Sequence, residues 1–201
     1  MNQNNVETEM KLYVPDHAPI LQRMHALGAR QVYPRVFERN WRYENQAGTF
    51  DAEGIVLRLR EDSRVRLTYK DGGAIHDGIV SRQELEVEVS DFNIMALMLE
   101  RLGYRVALIY EKYRTTYEFY GAEIVIDELP FGNFVEIEGD TATISSVLVT
   151  LELQNAQRFT DSYTRLFTIV KENLGLSFDH LTFANFEGIT VPVSAFVARQ
   201  P

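Results

Sequence analysis

The chain of 201 residues contains no cysteine. That absence removes disulfides, thiolate nucleophiles and cysteine-based zinc sites together, and it agrees with a reducing compartment. No apolar run approaches the length that crosses a bilayer, and the opening Met1–Asn5 segment is polar. Neither a membrane span nor a secretion signal is expected, and the cytoplasm is the default location. Basic charge is also in short supply: 20 Lys and Arg stand against 29 Asp and Glu, a formal net charge of -9. Such a field repels polyphosphate backbones and acidic membranes, which argues against nucleic-acid or membrane partners and leaves room only for a local basic pocket. Familiar catalytic devices are missing as well. His17, His25, His76 and His180 are dispersed without metal-ligand spacing. Gly72-Gly73 lacks the Lys-Ser/Thr and helix of a phosphate loop, and Ser145 and Ser162 have no His and Asp companions for a hydrolytic triad.

What is present is alternation. In Val6 to Val14, the residues Val6, Thr8, Met10, Leu12 and Val14 share one strand face, while Glu7, Glu9, Lys11 and Tyr13 share the other. Further strands are predicted at Arg35–Glu44, Ile55–Glu61, Val65–Lys70, Arg82–Val89, Leu108–Tyr120, Glu123–Glu128 and Asn133–Glu138, with turns such as Asn45-Gln46-Ala47-Gly48 and a break at Asp71-Gly72-Gly73. Helical spacing predicts helices after Asp16, over Asp91–Leu102, over Thr143–Leu153 and over Asp161–Leu174, three of them stopped by Gly28, Gly103 and Gly175.

The layout repeats. Asp16, Leu27, Gly28, Arg30 and Arg39 match Asp91, Leu102, Gly103, Arg105 and Arg114, each pair 75 positions apart. Each half opens on an acidic alternating strand, Glu7-x-Glu9 or Glu84-x-Glu86, followed by a helix, Leu-Gly and an arginine-bearing strand. Two strand-helix-strand halves in one antiparallel α+β assembly are expected.

The charged faces are segregated by sign. Glu7/Glu9, Glu84/Glu86/Glu88 and Glu136/Glu138 are acidic, whereas Arg58/Arg60, Arg66/Lys70 and Lys112/Arg114 are basic. Stacking like charges along a strand is mildly unfavourable without counter-ions. A ligand carrying both signs relieves it: clustered carboxylates select hard divalent cations such as magnesium or manganese, and arginine forks and lysines select phosphate oxygens. A metal-phosphate complex satisfies both if the charged faces turn inward in a closed sheet. The aromatic residues Trp41, Tyr43, Tyr110, Tyr113, Tyr117 and Tyr120 are read as packing.

Glu7-x-Glu9-x-Lys11, Leu57-Arg58-Leu59-Arg60, Lys70, Lys112-x-Arg114, Asp127 and Phe134-Val135-Glu136-Ile137-Glu138-Gly139 stand in an order that resembles the CYTH superfamily, the triphosphate tunnel metalloenzymes. The resemblance runs from about Val6 to Phe167. It implies an eight-stranded antiparallel β-barrel enclosing a triphosphate tunnel, helices outside, spanning residues 1–175, with 176–201 as a C-terminal extension. It further implies Glu7, Glu9, Glu136 and Glu138 as ligands of Mg2+ or Mn2+. Arg58, Arg60, Lys70, Lys112, Arg114 and Asp127 become substrate contacts, with Lys11 beside the first acidic pair, and Glu7, Glu9, Lys11 and Glu136 become catalytic. The activity implied is hydrolysis of an inorganic or organic triphosphate, with cyclisation of ATP by a class IV adenylate cyclase as the alternative. Asp161 to Phe167 and Leu102-Gly103-Tyr104 are similar to stretches of the cyclase branch, but residues before Glu7 offer no histidine or aromatic for adenine. A homodimer is also compatible with the resemblance.

Overall fold

The structure, a computed structural model, describes residues 6–198. Met1–Asn5, the stretch before Glu7 that offers no histidine or aromatic for adenine, lies outside them. Alternating strands build two equivalent runs of strand, helix and three strands. The first holds β1 (Val6–Tyr13), α1 (Ala18–Ala26), β2 (Arg30–Glu44), β3 (Val56–Glu61) and β4 (Val65–His76). The second holds β5 (Ile79–Val89), α2 (Phe92–Arg101), β6 (Arg105–Phe119), β7 (Ala122–Leu129) and β8 (Gly132–Glu138). After them come α3 (Thr141–Thr150), a short β9 (Gln157–Phe159) and α4 (Tyr163–Leu174). The two Leu-Gly ends are alike: Gly28 and Gly103 sit at φ 81° and 92°, a left-handed conformation open to glycine.

Antiparallel pairing runs β5-β4-β3-β2-β6-β7-β8-β1, and β1 then pairs with β5, so eight strands close into a ring. Closure leaves no unpaired edge along the ring's main seam. β1 is shared on one side, where β5 covers Val6 to Glu9 and β9 covers Lys11 to Tyr13. The halves meet at β2 and β6, with Glu38 opposite Lys112 and Asn40 opposite Tyr110.

Among the boundaries that differ from those read in the sequence, three have a visible local cause. β2 starts at Arg30, because register irregularities on either side of Tyr33 absorb Pro34 within the pairing. β4 does not break at Asp71-Gly72-Gly73. The register shifts between Asp71 and Ala74, and Gly72 and Gly73 take φ 59° and 134°, so a bulge carries the strand onward. α3 begins earlier because Asp140, accepting from the Thr143 N–H, is its N-cap.

Apolar faces turn outward from the ring onto the helices. Met10, Leu12, Ile124, Ile126, Val135 and Ile137 pack with Ile20 and Met24 of α1 and Ile144, Val147 and Leu148 of α3. Leu57 and Leu59 pack with Phe92 and Leu99 of α2. One end of the ring is closed differently, by an aromatic cluster in which Tyr110 and Phe134 meet Tyr163, Leu166 and Phe167 of α4 and Leu181, Phe186 and Phe196 of the last segment. That segment completes the sheet where β7 stops: Leu181 N–H donates to Ile109 O, and Glu111 N–H donates to Leu181 O. Among the described residues no helix is long and apolar enough to cross a membrane.

Candidate functional site

Because apolar side chains face out, the charged faces face in. They line a cavity of about 300 Å³ inside the ring, within the range of small-molecule sites. Nine cationic residues, Lys11, Arg42, Arg58, Arg60, Arg66, Lys70, Arg82, Lys112 and Arg114, meet seven carboxylates, Glu7, Glu9, Glu84, Glu86, Glu123, Glu136 and Glu138. The interior therefore carries a cationic excess inside a chain of net charge -9.

The signs occupy separate arcs. β7, β8, β1 and β5 are adjacent in the ring and supply the carboxylates; β4, β3, β2 and β6 are adjacent and supply most of the cations. On the acidic arc, carboxylate oxygens of Glu7, Glu9 and Glu138 lie within 4.8 Å of one another. Burial, with Glu7 beside it, pushes the Glu138 carboxyl up to about 8, and burial also raises Glu7, against the pull of Lys70. Lys70 bonds Glu7 and reaches Glu84 at 2.9 Å. Three carboxylates that cannot all hold their charge form a donor set suited to a hard divalent cation.

Glu136 behaves differently, although it lies two residues from Glu138 on the same face. Its Oε1 is 3.1 Å from Lys11 Nζ and its Oε2 accepts from Arg114 Nη2 at 2.6 Å. Burial alone raises a carboxyl, yet Lys11 and Arg114 hold Glu136 well below the carboxylate range. Of the four residues expected as metal ligands, the structure thus gathers Glu7, Glu9 and Glu138 and sets Glu136 among cations. Lys11, itself buried, lies 3.6 Å from Glu9 and bridges the two groups.

On the basic arc, Arg58 bonds Thr68 Oγ1 at 3.1 Å and Tyr110 Oη at 3.3 Å, and Thr68 in turn donates to Glu86. Among the described residues Arg60 pairs only with Glu38, at 3.5 Å. Burial, followed by the neighbouring Arg58, lowers the Arg60 guanidinium from its usual value, and burial lowers Arg42 likewise. Those are cations short of a counter-ion. Asp127 lies behind the cavity wall and is fully buried: Lys112 Nζ reaches it at 2.9 Å, Arg114 grips it through Nε and Nη2 at 2.8 and 2.7 Å, and Tyr163 Oη donates to it at 3.0 Å. It orients two of the expected phosphate contacts from behind.

Several lining residues were not singled out in the sequence. Arg42 lines the cavity from β2, and Glu38 on the same strand is buried between Arg60 and Lys112; Glu38-Arg39-Asn40-Trp41-Arg42 mixes signs and so shows no charged stripe. Glu123 sits near the start of β7 and Arg82 lies within β5 opposite Glu7, and Tyr110 and Tyr163 carry hydroxyls into the cavity from the aromatic plug. Alternation alone reads Tyr110 as packing; its ring packs, but its hydroxyl meets Arg58. Glu88, on the same strand face as Glu86, lies outside the cavity lining and pairs with Arg64, while Arg66 lines the wall beside Asp62.

Residues 5–165 match the CYTH domain. The chain belongs to the CYTH family. A relative from Methanocaldococcus jannaschii, named provisionally as an adenylate cyclase, is 26% identical over 142 residues, which is 70% of this chain and 80% of that protein. A Vibrio parahaemolyticus structure with a similarly provisional cyclase name superposes with TM-score 0.69 at 21% identity, over 83% of this chain and 99% of that one. A Hippeastrum protein, also given an adenylyl cyclase name but described with a dominant triphosphatase activity, superposes with TM-score 0.64 at 19% identity, over 81% and 95%. At those structural identities the likeness speaks for the CYTH fold.

Proposed function

We propose that this CYTH domain is a divalent-metal-dependent enzyme that hydrolyses a triphosphate, inorganic or organic. The observation that carries the reading is the meeting, in one cavity, of a carboxylate trio short of a cation with an arginine row short of an anion. The trio Glu7, Glu9 and Glu138 suits Mg2+ or Mn2+, which supplies positive charge to phosphate oxygens when bound. Arg58, Arg60, Lys70, Lys112 and Arg114 hold the phosphate chain by fork-like and point-charge contacts.

Phosphoryl transfer gains most from cations fixed where charge develops. In hydrolysis the oxygen of a water bonds to a phosphorus, the bond from that phosphorus to its bridging oxygen breaks, and the bridging oxygen takes the electron pair. Lys112 and Arg114, pinned from behind by Asp127, need no reorganisation to meet that charge. Glu136 stays ionised beside Lys11 and Arg114, so it can orient the water as a hydrogen-bond acceptor, while the water's proton ends on a phosphate oxygen of the product. Lys11 keeps Glu9 and Glu136 in place together.

Cyclisation of ATP is the second reading. A second cavity of about 330 Å³ adjoins the first through Arg42, Val56, Arg82 and Ser162, space that a nucleoside attached to the triphosphate can use. A phosphate-release assay with tripolyphosphate, thiamine triphosphate and ATP, each with Mg2+ or Mn2+, run beside cyclic-nucleotide detection, decides between them. Phosphate release without cyclic product supports hydrolysis; cyclic AMP with pyrophosphate replaces it by cyclisation; no metal- and triphosphate-dependent turnover overturns both. The proposal includes residues 176–201 as an extension on the same domain, a cytoplasmic location, no nucleic-acid or membrane partner, and a homodimer.

A further inference from the structure

Two tyrosines stand where the aromatic plug meets the charged cavity, and they differ in one respect. Tyr163, on α4, spends its proton on Asp127 Oδ2 at 3.0 Å. Tyr110, on β6, has the opposite situation. Its ring is buried in the aromatic cluster and its hydroxyl accepts from Arg58 Nη1 at 3.3 Å, but its own proton meets no acceptor among the described residues. The polar groups facing it are Arg58 and Arg60 from β3, Lys112 along β6, Glu38, Asn40 and Arg42 from β2, and Tyr163 from α4. The cations offer only donors. Asn40, directly opposite Tyr110 and fully buried, leaves both its amide oxygen and amide nitrogen unpartnered among the described residues, and Glu38 Oε2 is taken up by Lys112 Nζ at 3.5 Å.

A buried hydroxyl that leaves its proton unmatched carries a free-energy penalty unless a ligand completes it. Here every neighbouring cation calls for an anion at the same place, and an oxyanion is also the acceptor a phenol needs. A cation attracts a phosphate without fixing which oxygen meets it, whereas an O–H group fixes where one oxygen must sit.

We propose that Tyr110 donates its phenolic hydrogen bond to a phosphate oxygen of the bound substrate, making it a catalytic contact at the plugged end of the cavity. No covalent bond changes at Tyr110: the proton stays on the phenol, and the hydrogen bond tightens as charge grows on the oxygen it meets. The inference rests on the triphosphate reading above and adds a residue that the charge pattern does not reveal.

The test compares wild type with Tyr110→Phe, which deletes the hydroxyl and keeps the ring. Isothermal titration with inorganic tripolyphosphate in EDTA, where turnover is stopped, should show affinity falling about tenfold or more, the size expected for a hydrogen bond to a charged group. Steady-state hydrolysis with metal should show kcat/KM falling at least as far. Thermal stability of the free variant should stay level or rise, because an unmatched proton is removed. Affinity and kcat/KM both within twofold of wild type overturn the inference, as does a drop in stability with unchanged affinity, which marks a packing role. Wild type that binds tripolyphosphate without hydrolysing it sinks the hydrolase reading alone, and the affinity ratio still decides Tyr110. Wild type that binds none overturns both.

Discussion

The β3–β4 and β7–β8 hairpins occupy equivalent places in the two halves, each following a helix and an arginine-bearing strand, yet they carry opposite charge into the cavity. β3–β4 brings Arg58, Arg60, Arg66 and Lys70; β7–β8 brings Glu123, Glu136 and Glu138, with Asp127 behind them. The preceding strands did not diverge this way: β1 and β5 are both acidic, and β2 and β6 both basic. A repeated half is enough to make a ring; opposite signs on the last hairpin of each half make a two-signed cavity. Each hairpin is also electrostatically incomplete in its own sense, since burial and like neighbours raise Glu138 and lower Arg60. A folded chain bears that strain where a ligand later relieves it.

Removing the member that ties the acidic hairpin to the basic strand β6 should have the largest effect. Asp127→Ala leaves Lys112, Arg114 and Tyr163 facing an empty place, and breaking a buried ion network of this kind costs roughly 3–5 kcal/mol. A denaturant melt should show it; a loss below about 1 kcal/mol would mean that Asp127 does not anchor the basic strand.

Breaking the acidic side alone should separate function from stability. Glu9→Gln is expected to reduce metal-dependent turnover by about a hundredfold or more, with a melting temperature near that of wild type in EDTA. Unchanged rates at saturating Mg2+ or Mn2+ would remove Glu9 from the metal set. On the basic side, Arg58→Ala should weaken tripolyphosphate binding by about tenfold and leave metal affinity unaltered. Equal losses of metal and anion affinity in both variants would show that the two arcs act as one site.

Much of this contrast is visible in the sequence, since alternation assigns Arg58, Arg60, Glu136 and Glu138 to charged faces without coordinates. Closure is not, because β1 pairs with β5 across more than seventy residues and no local pattern specifies that contact. Nor does local pattern distinguish Glu136 from Glu138: their neighbours in the chain are similar, and only the cross-strand Lys11 and Arg114 separate their chemistry. Glu38 and Arg42 were hidden by the mixed signs of β2, and Tyr110 by the usual role of strand aromatics. A glycine pair signals a turn or a bulge alike, and at Gly72-Gly73 the β5 partner selects the bulge.

The most gradual effect, spread over several pH units, and the one that reads the acidic hairpin most directly, is a slope of stability with pH. Glu138 titrates at 4.5 in an unfolded chain and near 8 in the folded one, so between those values the folded state holds a proton that the unfolded state releases. Stability then declines as pH rises through that window and levels off above about pH 8. This is opposite in sign to Glu136, whose depressed carboxyl adds stability that is lost only as the medium becomes strongly acidic. Melting temperatures of metal-free protein from about pH 5 to about pH 9 should fall, and Glu138→Gln should flatten the fall. Adding Mg2+ or Mn2+ should restore stability most at the alkaline end, because the cation binds the ionised trio and competes with the proton. A metal-free stability that rises with pH across the same range would mean that the acidic hairpin is already balanced by Lys11, Lys70 and Arg114, leaving the two hairpins equivalent in strain as well as in position.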